Sequence, residues 1–120
     1  MMRQHLLEWQ WSDYAAKHQN RLNLLLHIVT VPFFLVGTLI LLCAAITVSV
    51  AAAVVGAICM VGALGAQGRG HRLEPETPVP FDGPADFVSR FFVEQWVTFP
   101  RFVLSGGWYR NLIAGARPPR

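Results

Sequence analysis

The stretch LNLLLHIVTVPFFLVGTLILLCAAITVSVAAAVVGAICMVGALGAQG, residues 22–68, holds 47 consecutive positions without Asp, Glu, Lys or Arg. A helix that crosses a bilayer needs about 20 such residues. The stretch is therefore long enough for two helices and a tight turn. Its reading decides the fold class: all-α, an integral membrane hairpin of two apolar helices near Asn23–Cys43 and Val48–Ala66. The turn is expected around Ala44–Thr47, where no Gly or Pro marks it. Pro32 falls inside the first helix and should kink it or end its first turns. In the second helix Ala52/Gly56, Ala53/Ala57 and Gly62/Ala66 stand four apart, a spacing that lets helix backbones approach closely in lipid. Such a face would also suit a homo-oligomer. A hairpin buried in a soluble core is the alternative, since core helices can also be uncharged.

The rest of the composition supports the membrane class. Hydrophobic residues make up 53% of the 120 and mean hydropathy is +0.39, high for a soluble domain of this size. The formal charge is +3, and all ten basic residues lie outside the apolar stretch. Basic flanks suit anionic lipid headgroups. No basic cluster has nucleic-acid motif spacing, so no nucleic-acid partner is expected. The positive-inside rule puts both termini in the cytoplasm, with a bacterial cytoplasmic membrane favoured over endoplasmic reticulum. Glu8, Gln10, Ser12 and Asp13 interrupt any N-terminal signal-like run. Cys43 and Cys59, among Leu, Ala, Val and Gly, read as small buried hydrophobes.

Outside the hairpin, one membrane-embedded domain over 1–120 is expected, with amphipathic interfacial helices near 3–18 and 86–104 on either flank. In the first, Leu7, Trp11, Tyr14 and His18 share a face. In the second, Val88, Phe92, Trp96, Phe99 and Val103 fall on one side. Asp86, Arg90, Glu94 and Arg101 argue against a lipid-facing span, at about 2.5–3.5 kcal/mol each near mid-membrane, and for an interfacial position. Pro75, Pro78, Pro80 and Pro84 with Asp82-Gly83 predict a stiff loop before it. Gly115 to Arg120 reads as a frayed tail.

Polar side chains gather at the two ends of the apolar stretch: His18, Asn23 and His27 at its entrance, Gln67, His71 and Glu74 at its exit. A hairpin returns both ends to one side, so three of the four histidines can meet. His18 and His27 are nine residues apart, about 900° on one helix and hence on opposite faces. They converge only if the chain breaks between them, and Gln19–Asn23 supplies suitable residues. Neutral imidazoles bind Fe(II) or Zn(II), and a carboxylate, here Glu74, completes a facial set with open positions. Asn23 and Gln67 could orient the imidazoles. The plainer reading has His18 at the headgroups, His27 bonded to a neighbouring helix and His71 solvated. An imidazole at the depth of His27 is costly without a purpose. The run Gly65-Ala66-Gln67-Gly68-Arg69-Gly70-His71 lacks the strand context of a nucleotide fingerprint and reads as a helix end.

Tyr14-x-x-x-His18, Asn23-x-x-x-His27 and Pro32 resemble the first motif of the fungal 2-hydroxy fatty acid dioxygenase family and its bacterial relatives. Gln67-x-x-Gly70-His71-x-x-Glu74 with Pro78 resembles the second, though Glu74 and Pro78 each stand one position closer to the histidine than in the fungal pattern. The resemblance spans roughly residues 10–104. It implies an integral membrane enzyme, Fe(II)-dependent, that uses dioxygen to shorten 2-hydroxy fatty acids by one carbon, with His18, His27 and His71 bearing the iron. On that reading the acyl tail lies between the apolar helices. Arg69 or Arg72 would pair with the substrate carboxylate, and Tyr14 would donate a proton or sit in an aromatic belt. The competing readings are a non-enzymatic hairpin serving packing or oligomerisation, and a zinc-dependent membrane hydrolase.

Overall fold

The computed structural model describes residues 3–115, and among these there is no strand. Six α-helices follow in order: α1 (Leu6–Ser12), α2 (Arg21–Thr47), α3 (Val50–His71), α4 (Gly83–Val93), α5 (Phe99–Leu104) and α6 (Gly107–Ala114). A single π-turn, Glu94–Thr98, joins α4 to α5. The expected tail beyond Gly115 lies outside the described residues.

Helices α2 and α3 pack side by side as the expected hairpin, each longer than its apolar pattern suggests. Asn20 starts α2, its side chain accepting the Asn23 N–H at 3.1 Å. Pro32 lies inside α2 without ending it. The turn falls at Val48 and Ser49, just past the expected Ala44–Thr47. Val48 adopts the left-handed conformation at φ 55° and ψ 42°, a place normally filled by glycine. A β-branched residue there explains why no glycine marked the turn. Ser49 then caps α3 by accepting the Ala52 N–H at 3.2 Å.

Contrary to the helix-end reading of its glycine-rich run, α3 continues through Gly68 and Gly70 to His71. Gly70 is buried against the start of α2, where a Cβ would overlap Oδ1 of Asn23. Farther along, a Cβ on Gly56 would come within 2.8 Å of the Gly37 carbonyl oxygen. Gly62, by contrast, faces open space. Val29, Phe33, Val36, Leu42, Ile46 and Ile58 point outward. Both helices are long and apolar enough to cross a membrane, and only 22% and 17% of their most apolar windows are buried. That low burial argues against the soluble-core alternative.

The core sits at the polar end of the hairpin, where Tyr14, Leu24, Val31, Phe99 and Phe102 pack with Trp11, Ile28 and Trp108. The flanking helices differ from expectation. The N-terminal one is confined to Leu6–Ser12, and the Ser12 hydroxyl turns back onto the Trp9 carbonyl at 2.7 Å. The chain then runs through turns to His18, and the Asn111 side chain donates to the Ala15 and His18 carbonyls at 2.9 and 2.8 Å. With the helix ended, the buried row is Leu6, Gln10, Tyr14 and His18, while Leu7 is exposed. Residues 86–104 are helical as expected, but the expected apolar face divides: Phe99 is buried in the core and Val103 half-buried, while its N-terminal part turns outward. Val88, Phe92 and Trp96 are exposed, and Asp86, Arg90, Gln95 and Thr98 are buried. Contrary to the expectation of two buried positions, Cys43 is exposed, while Cys59 is half-buried against Gly37 of α2; both are free thiols.

Candidate metal centre

The chain does break between His18 and His27, and α2 begins anew at Arg21. The break lets His18 swing back over His27 while α3 brings His71 up beside them. The three ring centroids form a near-equilateral triangle with sides of 4.9, 4.9 and 5.0 Å, and the ring planes are 79–89° apart. Two rings are tied to backbone carbonyls through Nδ1: His18 to Tyr14 at 2.8 Å and His27 to Asn23 at 2.9 Å. A carbonyl only accepts, so each Nδ1 carries the proton and each Nε2 presents a lone pair.

Those lone pairs converge on Glu94. Its Oε1 lies 3.6 Å from Nε2 of His18, 3.4 Å from that of His27 and 4.0 Å from that of His71. These separations are too long for good hydrogen bonds, and Nε2 of His18 and His27 is buried without a partner. Burial alone would raise the pKa of Glu94, but His18 and His27, when Nε2 carries a proton in place of an ion, outweigh it and hold the carboxyl well below its usual range. The four donor atoms lie within 4.8 Å of one another. Metal bonds of about 2.0–2.2 Å place neighbouring ligands roughly 3.0–3.4 Å apart, so a small contraction would seat a divalent ion. Nitrogen lone pairs facing a carboxylate call for a cation between them, and the donor set fits Fe(II) or Zn(II).

The family model for the 2-hydroxy-palmitic acid dioxygenase Mpo1-like proteins matches residues 4–103. The chain belongs to this Mpo1-like family. The matched span takes in all four members of the cluster. No curated protein and no solved structure matches the chain.

In this Mpo1-like chain, not every residue expected at the site is there. Glu74, expected as the completing carboxylate, faces away from the histidines. Its oxygens accept the Gln19 N–H at 2.6 Å, the Asn20 N–H at 3.0 and 3.1 Å, and the Asn23 side-chain amide at 2.6 Å. It therefore closes the start of α2, where the helix dipole favours an anion. Glu94 stands in its place. The one hint was a carboxylate in the middle of an aromatic-rich helix, at a position that interfacial placement left without a task. Asn23 orients His27 through its backbone carbonyl rather than its amide. Gln67 makes its hydrogen bonds with Gln95 and Thr30, not with an imidazole.

Tyr14 is buried, not in a belt. Its ring stacks on His18 with centroids 3.8 Å apart, and its hydroxyl donates to Oε1 of Glu94 at 3.1 Å. Burial, with the charge of Glu94 beside it, pushes the phenol well above its ordinary pKa, so it stays a donor. Beside the cluster opens a cavity of about 570 Å³, within the usual range for small-molecule sites. Val61, Leu64, Phe87 and Phe91 line it, and Tyr14, His18, His71 and Glu94 contribute to its wall. Lys17 and Arg72 also border the cavity, whereas Arg69 does not. Lys17 is held by Asp13 at 2.7 Å with its side chain 15% exposed; Arg72 is exposed.

Proposed function

We propose that the chain is an Fe(II)-dependent membrane dioxygenase that shortens 2-hydroxy fatty acids by one carbon. The observation that carries this reading is the convergence of three imidazole Nε2 atoms on Glu94 at the wall of an apolar cavity. Its family's description points to the same substrate class. In balanced form, R–CH(OH)–COOH and O2 give R–COOH, CO2 and H2O. The bond between the hydroxyl carbon and the carboxyl carbon breaks, and the hydroxyl carbon becomes the new carboxyl.

His18, His27, His71 and Glu94 would hold the iron, which when bound supplies the electrons for activating dioxygen. The backbone carbonyls of Tyr14 and Asn23 keep two imidazoles in the ligand tautomer. Tyr14 keeps its proton on the hydroxyl beside Glu94 and fixes that carboxylate's orientation. Val61, Leu64, Phe87 and Phe91 exclude water and take the acyl chain, while Arg72 and Lys17 attract the substrate carboxylate. The outward apolar faces of α2 and α3 sit in lipid, both termini and the site lie at the cytoplasmic face, and the tail enters from the bilayer.

The test is anaerobic purification with iron in detergent, followed by 2-hydroxyhexadecanoate and oxygen, with products read by mass spectrometry. The expected result is the acid one carbon shorter, formed only with oxygen and iron and falling to background in His71→Ala and Glu94→Ala. Tightly held zinc with no oxygen-dependent product would overturn this reading in favour of a hydrolase. Absence of any stoichiometric metal would favour a non-enzymatic hairpin.

A further inference from the structure

The buried positions of α4 and α5 belong to two different helical phases. Asp86 and Arg90, four apart, extrapolate to Glu94; Phe102 and Phe99 extrapolate back to Gln95. On an uninterrupted α-helix these two series would point roughly 150° apart, at 100° per residue. One of them would face outward. The π-turn reconciles them: the Phe99 N–H donates to the Glu94 carbonyl five residues back. The extra residue in that turn lets Glu94 and Gln95 both aim inward. Such turns are rare and concentrate at functional sites.

Two buried glutamines hold the turn from outside. Gln67 of α3 and Gln95 form a reciprocal amide pair, with bonds of 3.0 and 2.7 Å, and Gln67 also donates to the Thr30 hydroxyl at 3.1 Å. Both amides are essentially inaccessible, at 2% and 0% exposure. Gln10 of α1 spans the turn, donating to the Arg90 carbonyl at 2.9 Å and accepting from the Thr98 hydroxyl. The turn is thereby tied to α3, which carries His71, and to α1, which leads into His18.

We propose that Gln95, clamped by Gln67, is a positioning residue that acts through Glu94, holding the π-turn so that the carboxylate completes the three-histidine set. This rests on the metal site of the proposed function. The test is Co(II) titration of the full chain in detergent, reading affinity and the visible spectrum, for wild type, Gln95→Met, Glu94→Gln and the double variant. Gln95→Met is expected to weaken Co(II) binding about 10-fold, as loss of a ligand's support typically does, and to shift the spectrum toward that of Glu94→Gln. In the Glu94→Gln background it should cost nothing further. An equal loss in both backgrounds, or no loss in either, overturns the proposal. Should Gln95→Met fail to fold, Gln67→Met removes the same pair from the α3 side and is read identically. Coupled loss of Co(II) binding without oxygen-dependent turnover would overturn the proposed dioxygenase alone. Co(II) binding with additive losses would overturn the positioning role alone, and a wild type that takes up no Co(II) overturns both.

Discussion

The turn that carries Glu74 and the π-turn that carries Glu94 both bring a carboxylate into the protein, but they surround it differently. Around Glu74 every close neighbour is an N–H donor at 2.6–3.1 Å, two from the backbone and one from Asn23. Around Glu94 there is one ordinary donor, Tyr14, and then three imidazole nitrogens at 3.4–4.0 Å. A carboxylate whose hydrogen bonds are complete holds structure together. One facing unpartnered nitrogens, two of them fixed as lone-pair donors, is arranged for a guest. Charge and burial alone do not separate the two roles; the complement of donors does.

The strongest way to break this contrast is to truncate each in turn. Glu74→Ala orphans the Gln19 and Asn20 N–H groups and the Asn23 amide, so thermal unfolding of the metal-free chain in detergent should show a loss of about 3 kcal/mol. Glu94→Ala orphans only the Tyr14 hydroxyl, so it should cost about 1 kcal/mol while cutting metal affinity severely. Equal destabilisation by both would end the distinction. A subtler probe is Gly70→Ala, whose Cβ would displace Asn23 from Glu74. We expect a cost of about 2 kcal/mol from overpacking, with weaker metal binding because the Asn23 carbonyl also seats His27. Gly68, where a Cβ would meet nothing within 4 Å, is the control. Gly68→Ala should be neutral or stabilising by up to about 1 kcal/mol, as helix propensity dictates.

How far the sequence carries this picture depends on the kind of signal. The uncharged run from Leu22 to Gly68 fixes the hairpin, and the nine-residue spacing of His18 and His27 demands a break, expected within Gln19–Asn23 and found just before Arg21. Both are consequences of helical periodicity. Glu94 was not legible, since its role depends on a π-turn that shifts phase by one residue, and no motif marks that insertion. The same shift hid the inward orientation of Asp86, Arg90 and Gln95. Their apolar neighbours Val88, Phe92 and Trp96 dominate the pattern yet face outward, as they would on a surface meant for lipid. Glu74 illustrates the opposite failure. Spacing from His71 suggested a ligand, but only the folded chain reveals three donors waiting for it.

Asp86 sharpens the comparison with a third buried carboxylate, one that faces arginines. The Asp82 N–H, which donates at 2.9 Å, leads in holding its pKa below the ordinary 3.8; burial opposes this, and Arg90 and Arg3 assist. A carboxyl whose folded pKa is depressed adds stability above its unfolded pKa and loses it as pH falls through the folded one. The stability gap between wild type and Asp86→Asn should therefore be constant above about pH 5 and close progressively below 3.8. A gap that instead changed between about pH 6 and 8 would mean that Asp86 does not act as an ion pair.

The smallest effect is expected at the far end of the hairpin. Val48 holds a left-handed conformation that a β-branched side chain resists, so Val48→Gly should gain about 1 kcal/mol, less the extra freedom glycine has when unfolded. The turn shares no partner with either glutamate, and effects at such separated sites are independent. Metal affinity should then be unchanged in Val48→Gly while the unfolding temperature rises. If affinity moved with stability, the two ends of the hairpin would be coupled through the Gly37–Gly56 contact. The site would then depend on the packing of the whole hairpin rather than on the donors gathered at its polar end.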